Sequence, residues 1–141
     1  APVELNYHEL KDLGVKGMEV VVYGHLPVMV TAGCIQKNTN KCLKCNSQLE
    51  VSDRYQKKFL VKNICDYCYN VVYNTAPVLL ADQKEELEMI NPQALRLQFT
   101  SENGKQTKEI VDLYGNIFKE NNDIEIPDME FTRGHFKRGV K

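Results

Sequence analysis

The chain has 141 residues, enough for one core of ordinary size and too few for two. Hydrophobic residues at 43% and charged residues at 26% match average usage, and the net charge of −1 argues against a dedicated nucleic-acid binder. No run approaches the roughly 18 apolar residues of a spanning helix, and no basic-then-apolar leader opens the chain, so no membrane role is expected. Local charge is less even: seven Lys or Arg face Glu50 and Asp53 between Lys37 and Lys62, and Arg133, Lys137, Arg138 and Lys141 crowd the C-terminus.

Val3 to Asn6 is predicted as a short strand and Tyr7 to Leu13 as a helix ended by Gly14. Met18 to Tyr23 is a nearly continuous β-branched run, the pattern of a parallel strand covered on both faces, broken by Gly24. After Pro27 polar residues and cysteines take over through Asn46, a loop unless something ties it down. Gln48 to Tyr55, Phe59 to Ile64 and Asn70 to Tyr73 are three short strands, with Gln56, Lys57 and Lys58 turning between the first two.

Asp82 is the predicted N-cap of a helix reaching Ile90, which Asn91 and Pro92 end. Leu95 to Phe99 alternates as a strand, and Ser101 is placed to cap a last helix with Ile110, Val111, Tyr114, Ile117 and Phe118 on one face. The expected organisation is a βα unit with a long strand over 1–33, a cysteine ribbon over 34–74, a second βα unit over 75–120, and a tail over 121–141 with one short strand near Met129 to Thr132. Such βα repetition implies an α/β class. The chain opens on Ala1 and runs straight into an apolar stretch, so it is expected to be a piece of a larger protein.

All five cysteines, Cys34, Cys42, Cys45, Cys65 and Cys68, lie in the ribbon. An odd number with two pairs spaced two residues apart is poor disulfide arithmetic and good metal arithmetic. Cys42 and Cys45 are separated from Cys65 and Cys68 by nineteen residues, the knuckle, hairpin, knuckle spacing of a zinc ribbon. Two residues between thiolates let one turn aim both sulfurs at an ion, and the hairpin brings the second turn to face the first. Cys34 is a fifth candidate, so the ligand set stays open. Four thiolates hold zinc or a 4Fe-4S cluster equally well. Buried free thiols are the competing reading, which the polar surroundings of Cys42 and Cys45 weigh against. Thiolate ligands imply a reducing, cytoplasmic setting.

Two further residues are candidates for catalysis. His25 follows the strand end, where α/β folds place working residues, and has the chemistry of an acid, a base or a ligand, or of a structural residue. Glu19, on the same strand, is a candidate acid or base, with plain solvation at a strand edge as its alternative. A His25 and Cys34 nucleophile pair competes with metal for the same thiol. Tyr67, Tyr69 and Tyr73 are expected to pack the ribbon. The tail from Arg133 to Gly139 mixes basic and aromatic residues as RNA-binding segments do.

The run from Glu19 through Tyr23-Gly24-His25-Leu26-Pro27 to Met29-Val30, followed by Cys34, resembles the signature segment of the collagenase-like peptidases of family U-thirty-two. Asp53-Arg54-Tyr55 with Phe59, Tyr73-Asn74, the Leu95 to Phe99 strand with Tyr114, and the closing Phe131 to Phe136 resemble that family in the same order. The resemblance implies the C-terminal part of a (β/α) barrel-like fold with an inserted cysteine-containing β-ribbon. It further implies a peptidase, a hydrolase acting on a protein or peptide substrate, the remainder of the parent chain being its partner. Relatives that hydroxylate RNA bases or quinone precursors imply, as alternatives, an iron-sulfur cluster and an RNA substrate. Cys34 stands where that family has its second signature cysteine, and Pro27 stands where it has its first. A zinc ribbon that only binds a partner is the reading without catalysis. A truncated barrel leaves edges exposed, so self-association of the fragment is also expected.

Overall fold

The computed structural model describes residues 1–39, 42, 47–120 and 125–139. Its contacts divide it into two units, Ala1–Gly24 with Pro77–Lys141, and His25–Ala76, the second inserted into the sequence of the first.

The first unit opens with α1, Tyr7–Leu13. Asn6 is not in a strand but caps this helix: its side chain accepts from the Glu9 amide while the Glu9 carboxylate accepts from the Asn6 amide. Such a reciprocal cap stabilises a short helix by about 1 kcal/mol. Strand β1, Glu19–Gly24, is the centre of a three-stranded sheet and buries Val20, Val22 and Tyr23.

The second unit consists of β2 (Pro27–Thr31), α2 (Ile35–Thr39), β3 (Gln48–Ser52), β4 (Lys58–Ile64), a 3-10 turn over Cys65–Tyr67, and β5 (Tyr69–Tyr73). Its four strands form one sheet in the order β2-β5-β4-β3, every neighbour antiparallel. Part of the expected loop after Pro27 is therefore regular: Met29 to Thr31 pair with β5 after a register shift past Val28, and α2 follows. Asp53 builds the β3–β4 turn by accepting from the amides of Tyr55 and Lys57.

Back in the first unit, β6 (Val78–Leu79) lies antiparallel to β1 and β7 (Ala94–Gln98) lies parallel to it, with α3 (Lys84–Ile90) between them and α4 (Gly104–Phe118) after β7. Asp82 does not cap α3: Gln83 holds the N-cap position, and Asp82 pairs with Arg133. Ser101 does not cap α4 either, since Asn103 does so in a capping box with Gln106. The buried face of α4 is Ile110, Leu113, Tyr114 and Ile117, while Val111 is exposed. From that face the Tyr114 hydroxyl donates to the Val22 carbonyl over 2.6 Å and accepts from the Leu80 amide over 3.1 Å, tying α4 to β1 and to the end of β6. The C-terminal residues are docked rather than trailing. Thr132 bridges Val78, Phe136 is 5% exposed, and the Tyr7 amide donates to the Phe136 carbonyl.

These strands overturn the expected barrel fragment. A (β/α) barrel needs successive parallel neighbours; among the named strands only β1 and β7 run parallel, the other neighbour of β1 is antiparallel, and the ribbon is a separate antiparallel sheet. The described residues form no closed barrel, and the class is mixed α/β with two sheets. No helix among them is long and apolar enough to cross a membrane.

Gly24 ends β1 at φ 135°, and a β-carbon there would meet the Gln98 carbonyl oxygen at 2.2 Å. Gly24→Ala is expected to lower unfolding free energy by about 3 kcal/mol or more. Gly115→Ala, in open space on α4, should raise it by about 0.5–1 kcal/mol; denaturant titration of both variants measures the contrast.

The Tyr23 hydroxyl donates to Glu102, whose other oxygen accepts from the amides of Thr100 and Ser101. Partial burial pushes the Glu102 carboxyl up, but those donors outweigh it and hold it below the usual range. A folded-state pKa below the unfolded one adds stability above the unfolded value, and that stability is lost as pH falls through the lowered one. Glu102→Gln should therefore be less stable than the native chain at neutral pH and indistinguishable from it in strong acid, as read by unfolding at stepped pH.

Candidate functional site

The cysteine-bearing hairpin is built from the pairing of β4 with β5. Val61 lies opposite Val72 and Asn63 opposite Asn70, so one face carries an apolar rung and, next to it, a polar one. All four side chains are buried, both asparagines completely. Beyond the polar rung Ile64 pairs with Tyr69, and the 3-10 turn between them carries Cys65 and Cys68. Cys68 closes the turn in the left-handed conformation, φ 55° and ψ 38°, with its amide donating to the Cys65 carbonyl over 3.3 Å. Its thiol donates to the same oxygen over 3.7 Å. A non-glycine residue held there costs of order 1–2 kcal/mol and is a mark of special sites.

Two other segments are tied to this hairpin by the asparagine amides. Asn70 Nδ2 donates to Thr31 Oγ1 over 2.7 Å and to the Gly33 carbonyl. Asn63 Nδ2 donates to Gln36 Oε1 over 3.1 Å and to Ser47 Oγ over 2.8 Å, and the Asn63 amide donates to the Ser47 carbonyl. Cys34 sits between the anchored residues Gly33 and Gln36, is 9% exposed, and accepts at its carbonyl from the Asn38 amide in the first turn of α2. Cys42 and Cys68 are exposed and Cys65 is half-buried. Cys45 lies outside the described residues.

The donor chemistry and the cross-linking of the segments suit thiolate ligation. Among the described residues, however, no group of three or more His, Cys, Asp or Glu stands close enough to hold one ion.

His25 donates through Nδ1 to the Asn74 carbonyl over 2.8 Å. A carbonyl only accepts, so in the neutral ring the lone pair is on Nε2, the tautomer of a base or a ligand. Glu19 stands at the far end of β1, roughly 16 Å of extended chain from Gly24, in an exposed ion pair with Arg96 across the sheet.

The tyrosines near the turn divide. Tyr67 is 78% exposed and only tilts against Tyr69, whereas partial burial pushes the Tyr73 hydroxyl up. In the first unit a cavity of about 270 Å³ is lined by Tyr7, His8, Gln83, Glu86, Phe136 and Lys137; it contains no cysteine and neither candidate catalytic residue.

Sequence reasoning missed Asn63, Asn70, Gln36 and Ser47. A signal was present: Asn63 precedes Cys65 by two residues and Asn70 follows Cys68 by two, each at a position where the strand's alternation calls for an apolar side chain. The fold and site define a mixed α/β chain with an inserted, cysteine-bearing antiparallel ribbon. Comparison with family models, curated proteins and solved structures gives no significant match.

Proposed function

We propose that the chain is part of a collagenase-like peptidase-family protein, and that its ribbon unit folds around zinc or a 4Fe-4S cluster held by thiolates drawn from Cys34, Cys42, Cys45, Cys65 and Cys68. The observation that carries the metal reading is the thin core of the unit that holds every cysteine. Among its described residues the buried apolar side chains are Cys34, Val61, Val72 and Ala76. Four small side chains fall far short of offsetting the ordering of about 50 residues at roughly 1–2 kcal/mol each. Units so short of apolar burial are held by disulfides or by a metal, and five cysteines with two pairs spaced two residues apart favour the metal. Bound there, the ion or cluster supplies a cross-link, and a cluster also supplies redox chemistry.

The peptidase assignment rests on the resemblance of the Glu19 to Cys34 segment and of the motifs that follow it in order. His25 supports it, since its bond to Asn74 leaves Nε2 able to take a proton or bind a ligand. Hydroxylation of an RNA base by an iron-sulfur enzyme is the second reading. It is favoured by the β3–β4 tip, where the Arg54 guanidinium stacks 4.6 Å over the exposed Tyr55 ring beside Lys57 and Lys58. Protein partners have a surface to cover in β2, where Val28, Met29 and Val30 are all more than half exposed.

Elemental analysis of the anaerobically purified chain should find zinc or iron near stoichiometry. A visible absorption band identifies the cluster, and the Cys65→Ser, Cys68→Ser double variant should lose most of the metal; a metal-free native chain would refute this reading. For activity, the full-length protein should cleave gelatin or peptides and lose that cleavage in His25→Ala. If no peptide is cut with or without metal, and nucleosides from a deletion strain lack a hydroxylated base, the RNA reading takes its place; an unchanged nucleoside profile as well leaves a non-catalytic zinc-ribbon binding module.

A further inference from the structure

We infer that Asn63 and Asn70 are positioning residues: their amides fix the Cys34-bearing segment and Ser47 against the turn that carries Cys65 and Cys68. Both lie on the buried face of the hairpin, where the next rung is valine opposite valine. An apolar pair would satisfy that face. The asparagines instead each keep a fully buried Oδ1 with no hydrogen-bond partner among the described residues, a cost of about 1–3 kcal/mol for each such atom left unpaired.

What offsets that cost is not strand pairing, which the backbone already supplies. The Nδ2 groups reach outward to Thr31, Gly33, Gln36 and Ser47. Three of those contacts bracket Cys34 on both sides, and the fourth falls two residues after Cys45. A helix of five residues such as α2 has no stability of its own, so the position of Cys34 depends on these anchors. The placement is symmetric about the turn, one asparagine two residues before its first cysteine and one two residues after its second.

The test uses the full chain with Asn63→Leu and Asn70→Leu, which keep the branched shape and the number of heavy atoms of the side chain. They leave Ser47 Oγ donating to Gln36 Oε1 and Thr31 Oγ1 donating to the Gly33 carbonyl. Site-resolved alkylation of the reduced, metal-free chain, followed by mass spectrometry, should show Cys34 reacting at least about tenfold faster in either variant, with the exposed Cys42 unchanged. Zinc affinity, by competition with a chromophoric chelator, should fall about 10–100-fold; this half rests on the metal reading above.

An unchanged Cys34 rate in both variants, with the native circular dichroism spectrum retained, overturns the inference. If a leucine variant unfolds, Gln36→Leu and Thr31→Val each cut one link of an asparagine from the opposite side and decide it by the same rates. If the native chain binds no zinc, the metal reading fails by itself, and the Cys34 rates still decide the role of the asparagines.

Discussion

Antiparallel register is the constraint on which the ribbon depends. Once Val61 faces Val72, Asn63 must face Asn70, and both amides land on the buried side of the sheet. There they have only the neighbouring segments to bond, so the residues around Cys34 and Ser47 are drawn onto the hairpin whose turn carries Cys65 and Cys68. Shifting either strand by one residue would turn the whole rung to the outer face and release those segments. The placement of the Cys34-bearing segment on this hairpin is thus a consequence of the strand pairing that flanks the turn.

The first unit is organised differently, by burial with a few polar ties. Val20, Val22 and Tyr23 on β1, Leu79 on β6, Leu87 on α3 and the inner face of α4 form its core. The Tyr114 hydroxyl satisfies one carbonyl of β1 and one amide beyond β6 with a single side chain. Burial then pushes its own ionisation well up, so this tie persists across the pH range in which carboxylates and histidines titrate.

Elements that advertise themselves locally were legible. Helix α1 spans the residues that periodicity and Gly14 imply, and three ribbon strands follow Asn46 in the expected order, although the first ends at Ser52 because Asp53 starts the turn early, and Lys58 already belongs to β4. Caps were less legible because several candidates compete within a few residues: Asn103 outranks Ser101 through its reciprocal bond with Gln106, and Asp82 is taken by Arg133. Strand β2 was hidden because a stretch with polar residues and cysteines on its far side reads as loop, while what makes it a strand is β5, over forty residues away. Strand direction was least legible. A β-branched run looks the same beside parallel or antiparallel neighbours, so nothing in the strand residues checked the barrel that the family resemblance implied, and the described strands do not build it.

The asparagine rung shows why a buried polar residue is the more telling signal in such a sequence. The cysteines announce a site by spacing, but spacing says nothing about which segments meet. Asn63 and Asn70 interrupt an apolar alternation and leave two oxygens without partners among the described residues, a cost that selection for stability alone would remove by substituting valine or leucine. Their amides act where the unit has least apolar burial, on the one segment whose helix is too short to hold itself. On the metal reading proposed above, the ion or cluster would complete from the sulfur side what the two carboxamides begin from the strand side.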